Sequence, residues 1–593
     1  MHKRGTMRTF LKIFFASFVA LIVFSTIVFL IGLWLISGAL TPSKPDLGSK
    51  GVLVLDLSKD FPEQAKENPI SSLAGDPSND VPGLYDVIRM LHYAKTDSTI
   101  KGLYIKASDN ENGFASSEEL RNAILDFKQS KKFVIAYGEA MDQKSYYVST
   151  AAAKIYCHPN GGVDWTGFSV TLLFMKGLLD KLGIEPQVFY AGKFKSATEP
   201  FRVTKMTEPN RLQTTDMLND LYGNFLLQTS KARDIDTATL HQLAITGKIQ
   251  TANDALQNKL VDGLRYDDEV KAEIAQKIGQ REKDKINFIA LGTYAKAIDF
   301  TKNDGSDKIA IIYAQGDIVD GKSQDKEIGS EDYVNIIRRL RFDDDVKAIV
   351  FRVNSPGGSS LASDKIWREI ALAKKQKPVV VSMGDYAASG GYYIACDADS
   401  IFADANTITG SIGVFSILPN MQPFFNNKLG ITFDGVKTAP YADMGTATRP
   451  LTEPEKRFMQ SSVDSIYNVF KQRVASGRKT NLAFIDSIAQ GHVYTGGRAI
   501  SLKLVDRTGT LQDAVDCAAR MAKLKTYRTR DYPEKKSFLE ELLNSNSYVK
   551  SSSEEMIKEK IGAQQYDMLQ HVKKLQDLMK APQSRLPFDI KIY

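Results

Sequence analysis

The residues best suited to chemistry in this 593-residue chain are one serine and a small number of lysines far from it in sequence. Ser389 is followed by Gly390-Gly391-Tyr392 and follows a strand-like run, with a helix expected to begin near Gly390. A serine just before a helix can serve as a plain N-cap. It can also be a nucleophile, because free N–H groups and the helix dipole there favour developing negative charge. A second glycine-rich turn, Asn354-Ser355-Pro356-Gly357-Gly358-Ser359, ends the strand Ile349–Val353. Paired glycines let backbone N–H groups approach a ligand, although Pro-Gly-Gly also makes an ordinary tight turn. Serine attack on an acyl group needs a base, most often histidine. The six histidines are His2, His92, His158, His241, His492 and His571, and only His492 falls in the stretch around Ser389, without a telling context. Lysine can replace histidine if burial lowers its pKa from about 10.4 to about 7–8, a differential stabilisation of about 4 kcal/mol. Two segments offer such a lysine: Lys195 in Gly192-Lys193-Phe194-Lys195-Ser196-Ala197-Thr198-Glu199-Pro200-Phe201, and Lys437 in Gly435-Val436-Lys437-Thr438-Ala439-Pro440.

The elements that must position these groups occur twice. Strand-like runs at Gly51–Leu57, Ile100–Ile105 and Phe133–Tyr137 alternate with helical ones near Leu84–Lys95 and Ser117–Gln129. The order returns about 245 residues later, with strands at Lys308–Tyr313, Val346–Phe351 and Pro378–Met383 and helices near Tyr333–Phe342 and Ser363–Lys374. Tyr146-Tyr147-Val148 pairs with Tyr392-Tyr393-Ile394, Thr207-Glu208-Pro209 with Thr452-Glu453-Pro454, and Lys259-Leu260-Val261-Asp262 with Lys503-Leu504-Val505-Asp506. The alternation predicts βα units around largely parallel sheets, and the period is a duplicated domain rather than a solenoid. The junction falls near Gly292–Asp307. In the first copy Gln143 stands opposite Ser389, Lys144-Ser145 opposite the glycine pair, and Ser108–Gly113 opposite the Asn354–Ser359 turn. A fold that forms without Ser-Gly-Gly does not need it for folding, which favours the nucleophile over the cap. The lysine stays open: aligning on glycine puts Thr438 opposite Lys195, whereas a slip of one residue matches Lys437-Thr438-Ala439 to Lys195-Ser196-Ala197.

The N-terminus predicts a membrane anchor. Lys3, Arg4, Arg8 and Lys12 precede an uncharged apolar run over residues 13–40, about 42 Å as a helix and longer than the roughly 7–15-residue core of a cleaved signal peptide. Basic residues before the span keep residues 1–12 cytoplasmic and export the rest. A net charge of +7 without a basic block gives no expectation of nucleic acid, and 43% apolar with 25% charged residues is globular. Cys157, Cys396 and Cys517 are odd in number and lack a CxxC, so neither a disulfide framework nor a zinc site is expected. The tail, residues 526–593, reads as charged and helical (Glu540–Leu543, Glu554–Lys560, Met568–Met579), then alternates from Leu586 to Tyr593 like a strand docking on the body or a neighbouring subunit.

Taken together, Ser389-Gly390-Gly391-Tyr392, the Asn354–Ser359 turn, Thr409-Gly410-Ser411-Ile412-Gly413 and Lys195–Phe201 closely resemble the long, tandem-domain form of the bacterial signal peptide peptidases. The resemblance implies two Clp protease/crotonase-like α/β domains, residues 41–300 and 301–525, after one transmembrane helix. It implies Ser389 as nucleophile, Lys195 rather than Lys437 as general base, Ser411 as the hydroxyl that orients the lysine, and the Gly358 and Gly390 amides as the oxyanion hole. It further implies a cofactor-free homotetramer on the bacterial inner membrane, its body extracytoplasmic, that degrades remnant signal peptides with small or apolar side chains. A crotonase-type acyl-CoA enzyme and a non-catalytic membrane scaffold are the rival readings.

Overall fold

Runs of Val, Ile and Leu with no polar alternation form the centres of two parallel sheets, each buried on both faces. The computed structural model describes residues 12–28, 44–65, 80–301, 305–323, 327–534 and 581–586. In the first half the strands are β1 (Gly51–Asp56), β2 (Ile100–Lys106), β3 (Phe133–Met141), β4 (Lys154–Val163), β5 (Glu185–Ala191), β6 (Gly263–Leu264) and β7 (Phe288–Ala290). All but β5 form one parallel sheet in the order β6-β4-β3-β2-β1-β7. The second half contributes β8 (Lys308–Gln315), β9 (Asp317–Val319), β10 (Glu327–Gly329), β11 (Val346–Ser355), β12 (Gly357–Ser359), β13 (Val379–Ala388), β14 (Ser400–Ala403), β15 (Ile408–Gly410), β16 (Val414–Asn420), β17 (Val493–Thr495), β18 (Arg507–Thr508), β19 (Arg528–Tyr532) and β20 (Gln583–Arg585). Its sheet runs β18-β14-β13-β11-β8-β19, the same order as the first, with β15 and β17 added along the far end of β13.

The duplication extends to single hydrogen bonds. Tyr146 donates its hydroxyl to the Leu260 carbonyl at 2.7 Å, and Tyr392 donates to Leu504 at 2.8 Å. Asp262 accepts from Ile155 N and Asp506 from Ile401 N, both at 2.8 Å. Lys259 and Lys503 both adopt positive φ, 60° and 58°. These matches anchor the register between the copies at the residues that the sequence pairs. β19, the counterpart of β7, lies beyond residue 525, so the second sheet closes a few residues into the tail.

A third sheet joins the halves. β5 of the first copy runs antiparallel to β16 of the second, from Ala191↔Val414 to Glu185↔Asn420. On the other side Arg352 of β11 is fully buried and donates to Glu63 (2.8 Å) and Glu119 (2.7 Å) of the first half, and to Ser382 Oγ and the Met383 carbonyl. Burial pushes the Glu119 carboxyl up to about 7, against the pull of Arg352 and with the push of Glu63. The three cysteines are free and buried, as small core residues.

Residues 12–28 form a helix whose apolar side chains, Phe14, Phe18, Leu21 and Phe24 among them, are half or more exposed. Among the described residues no helix is long and apolar enough to cross a membrane, and positions 29–40 of the expected span lie outside them. The expected tail helices at 540–543, 554–560 and 568–579 also lie outside the described residues. The tail strand that is described, β20, precedes the expected 586–593 stretch, of which 587–593 lie outside.

Candidate active site

Ser389 sits where β13 gives way to the helix Gly390–Ala395, at φ 55° and ψ −113°. An L residue held there is strained, at a cost of about 1–3 kcal/mol, and the turn presents its side chain at the strand end. Its N–H donates to Gly410 O at 2.8 Å and its carbonyl accepts from Tyr393 N at 2.8 Å. The hydroxyl makes no capping bond to the helix. That removes the plain N-cap as the reason for this serine. Oγ instead lies 2.8 Å from Lys195 Nζ, in a site with no solvent exposure.

Lys195 reaches Ser389 from the other half because β5 is zipped to β16 and the chain then turns over Gly192. Gly192 has φ 105°, and a Cβ on it would stand 2.5 Å from the Gln490 carbonyl carbon. Phe194 N donates to Gln490 O at 2.8 Å, and a Cβ on Gly491 would meet Lys195 N, Cα and Cβ at 2.7–2.8 Å. The lysine therefore threads between backbones, and its amine is 3.1 Å from both the Ser411 carbonyl and Ser411 Oγ. Ser411 is itself fixed at φ 51°, with its N–H on the His492 carbonyl at 2.7 Å. Among the described residues no carboxylate bonds the amine, and burial holds Lys195 well below the ordinary lysine value of 10.5. The oxygens bonded to the amine are all neutral, so an ammonium finds no opposite charge to offset its lost hydration, and burial favours the free base.

The remaining two glycines converge on the same spot. Gly358, at φ 157°, has no room for a side chain: a Cβ would stand 2.0 Å from Ile318 O. A Cβ on Gly390 would lie 3.1 Å from Gly358 N. Two amides near a buried hydroxyl can stabilise an oxyanion formed on an attacked carbonyl, the largest electrostatic contribution in many acyl transfers.

The Peptidase family S49 profile matches residues 126–281 and 371–525, one match in each copy. "Protease 4" of Salmonella typhi is 35% identical over 531 residues, 87% of this chain and 85% of that one. "Protease 4" of Haemophilus influenzae is 33% identical over 80% of each chain. "Serine protease SPPA, chloroplastic" of Arabidopsis thaliana is 33% identical over 73% of this chain and 64% of its own. The chain belongs to peptidase family S49. As an S49 peptidase of the serine type it carries the family's domain twice.

In this S49 peptidase the other candidates are not brought to Ser389. Lys437 is exposed and paired with Asp443 at 2.9 Å, and its hydrogen bonds go to Asp443 and the Pro440 carbonyl. The ring of His492 is packed between Phe194 and Tyr494, with Nδ1 2.8 Å from the Val493 carbonyl, and burial lowers its pKa. Its backbone, not its imidazole, serves the site through Ser411. In the first copy Gln143 exchanges hydrogen bonds with the Gly167 backbone at 2.9 and 3.0 Å, and Asp142 caps its helix.

Two supporting residues were not legible in sequence. Gln213 donates to Phe194 O (3.0 Å) and Ser196 Oγ (2.8 Å) and accepts from Val493 N (3.2 Å), pinning the lysine turn to the other half. Gly491 supplies the bare backbone beneath Lys195. A glutamine on a long helix and a glycine before His492 carry no local signal of either role.

Proposed function

We propose that the chain is a membrane-anchored endopeptidase in which Ser389 is the nucleophile and Lys195 the general base and acid. The observation that carries the reading is the 2.8 Å approach of Lys195 Nζ to Ser389 Oγ in a buried, carboxylate-free site. The neutral amine takes the Ser389 proton as Oγ attacks the scissile carbonyl, and Ser411 holds that amine in line. Gly358 and Gly390 N–H groups receive the oxyanion. The amine then protonates the leaving nitrogen, leaving an acyl-enzyme on Ser389, and water activated by the same amine hydrolyses the ester. No metal or organic cofactor enters this sequence of steps.

Residues 41–300 and 301–525 would be the two Clp protease/crotonase-like units, supplying lysine and serine respectively. The exposed apolar helix of residues 12–28, behind Lys3, Arg4 and Arg8, supports a single anchor with a cytoplasmic N-terminus and an extracytoplasmic body at the bacterial inner membrane. Exposed Leu173, Leu178, Leu429, Phe433 and Val436 supply apolar surface for a homotetramer. Substrates of that setting are remnant signal peptides, whose apolar segments remain in the membrane after their passengers leave.

The test is hydrolysis of apolar synthetic peptides by the full chain in detergent. Ser389→Ala and Lys195→Ala each lose about 10²-fold or more, while Lys437→Ala keeps wild-type rates. Activity surviving in Ser389→Ala removes the nucleophile, and full activity in Lys195→Ala removes the shared dyad.

A further inference from the structure

Lys195 sits at the apex of a tight turn. Its φ of −73° and ψ of 73° are those of an inverse γ-turn, in which Ser196 N donates to Phe194 O at 2.7 Å. Gln213, buried on the helix Glu208–Arg233, clamps both ends of that turn: Nε2 donates to Phe194 O at 3.0 Å and to Ser196 Oγ at 2.8 Å. Its Oε1 accepts from Val493 N at 3.2 Å. Val493 follows His492, whose carbonyl accepts from Ser411 N at 2.7 Å, and both Ser411 oxygens lie 3.1 Å from the Lys195 amine. One side chain therefore spans the turn that carries the amine and the strand that holds the amine's acceptors.

The Gln213 amide makes these bonds in one orientation, and a chain of hydrogen bonds fixes that orientation from both ends. A backbone N–H only donates. At one end Thr207 N donates to Glu199 Oε2 at 3.2 Å, with Thr207 Oγ1 on Oε1 and Arg202 at 3.7 Å. The same Oε2 accepts from Asn210 Nδ2 at 2.8 Å, which turns Asn210 Oδ1 toward Gln213 Nε2, 3.3 Å away. At the other end Val493 N requires an oxygen from Gln213, which again puts Nε2 on the side of the lysine turn. Docking of the helix on the second half has other supports. Arg498 pairs with Asp220 at 2.7 Å and Asp216 at 3.2 Å, and Thr495 Oγ1 donates to Asp220 at 2.9 Å.

We propose that Gln213 is a positioning residue for the general base, held in its working orientation by Asn210 and Glu199. The proposal rests on the Ser389–Lys195 reading above. Gln213 bonds Phe194, Ser196, Asn210 and Val493 rather than the reacting atoms, and it acts by keeping the Lys195 amine aligned between Ser411 and Ser389. Without it the turn is free to shift, and a displacement of about 1 Å at a reacting group costs about 10²-fold in rate. Gly358 and Gly390 lie on other elements, so the loss falls on kcat rather than on KM. The chain of bonds also gives Glu199, within the Lys195–Phe201 stretch, a part in the site that its distance from the chemistry does not suggest.

The test is a double-mutant cycle on the full chain in detergent, with rates read on folded protein recovered by size exclusion. The substrate is an apolar peptide 4-nitrophenyl ester, whose good leaving group keeps slow variants measurable. Gln213→Met is expected to lower kcat about 10²-fold with KM within about threefold of wild type. Gln213→Glu keeps the shape but turns an acceptor onto Phe194 O; it is expected to behave the same way, and it decides the matter if the methionine variant does not fold. In a chain already carrying Lys195→Met, either substitution is expected to cost less than about threefold more, because no amine is left to align. Wild-type kcat in the folded Gln213 variants, or a rise in KM alone, overturns the proposal, and loss of activity in Lys195→Met then leaves the dyad standing. A further loss of about 10²-fold in the Lys195→Met chain assigns Gln213 to something other than the base and overturns the proposal. Full activity in Lys195→Met removes the shared dyad and the proposal with it.

Discussion

Replacing Lys195 with methionine tests the buried free base directly, because it keeps the volume of the side chain and removes its titration. In the folded protein desolvation lowers the Lys195 pKa, whereas in the unfolded chain it returns to about 10.4. Between those two values the unfolded state binds the additional proton, so wild-type stability rises with pH at about 1.4 kcal/mol per pH unit. This stability is complete above the free-lysine value and is lost as pH falls toward the folded one. Lys195→Met has no such slope. It leaves Ser389 Oγ and both Ser411 oxygens without the amine, at about 1–3 kcal/mol, but that cost does not depend on pH. The difference in melting temperature between variant and wild type therefore shifts against the variant as pH rises, by roughly 3–6 °C per pH unit inside the window for a unit of about 150–250 residues. Differential scanning fluorimetry across pH 6–10 measures it. Peptide hydrolysis by Lys195→Met falls about 10²–10⁴-fold, and the wild-type rate climbs with pH to a plateau well below 10.4. Parallel melting curves, or a rate that rises only as free lysine titrates, would refute a neutral amine in the folded enzyme.

Two other substitutions probe how the halves cooperate. Gly491→Ala puts a Cβ at 2.7–2.8 Å from the Lys195 backbone at φ 76°, and the resulting shift of the lysine lowers kcat about 10²-fold in peptide hydrolysis. Arg352→Met strands Glu63 and Glu119 in the interface and costs about 3–5 kcal/mol in denaturant or thermal unfolding. Without Arg352 the Glu119 carboxyl stays protonated in the folded state above its unfolded value near 4.3, so the unfolded state binds fewer protons and the loss is greater at pH 8 than at pH 5.

The two halves of the proposed dyad differed in how far sequence could reach them, and the reason is geometric. The copies keep the same strand order and the same tyrosine and aspartate anchors, so Tyr146 with Tyr392, and Leu260 with Leu504, fix what stands opposite Ser389. A one-residue offset survives even there: Asp142, not Gln143, caps the helix that corresponds to Gly390–Ala395. Lys195 belongs to a part that the copies do not share. It follows β5, whose partner β16 is in the other copy, and Ser389 and Ser411 on its amine, Gly413 beside its stem and Gly491 beneath its backbone all come from that copy. Aligning one repeat on the other cannot reveal such a neighbourhood, because its contacts run between repeats rather than within either. The same holds for Gln213, which bonds Val493 across the interface. A lysine kept neutral without a carboxylate has to be enclosed, and a seam between two α/β bodies encloses it beside a serine at a strand end. The division of serine and lysine between the copies follows from that requirement, and Lys437, on an exposed stretch beside Asp443, lacks the second body that would make it a base.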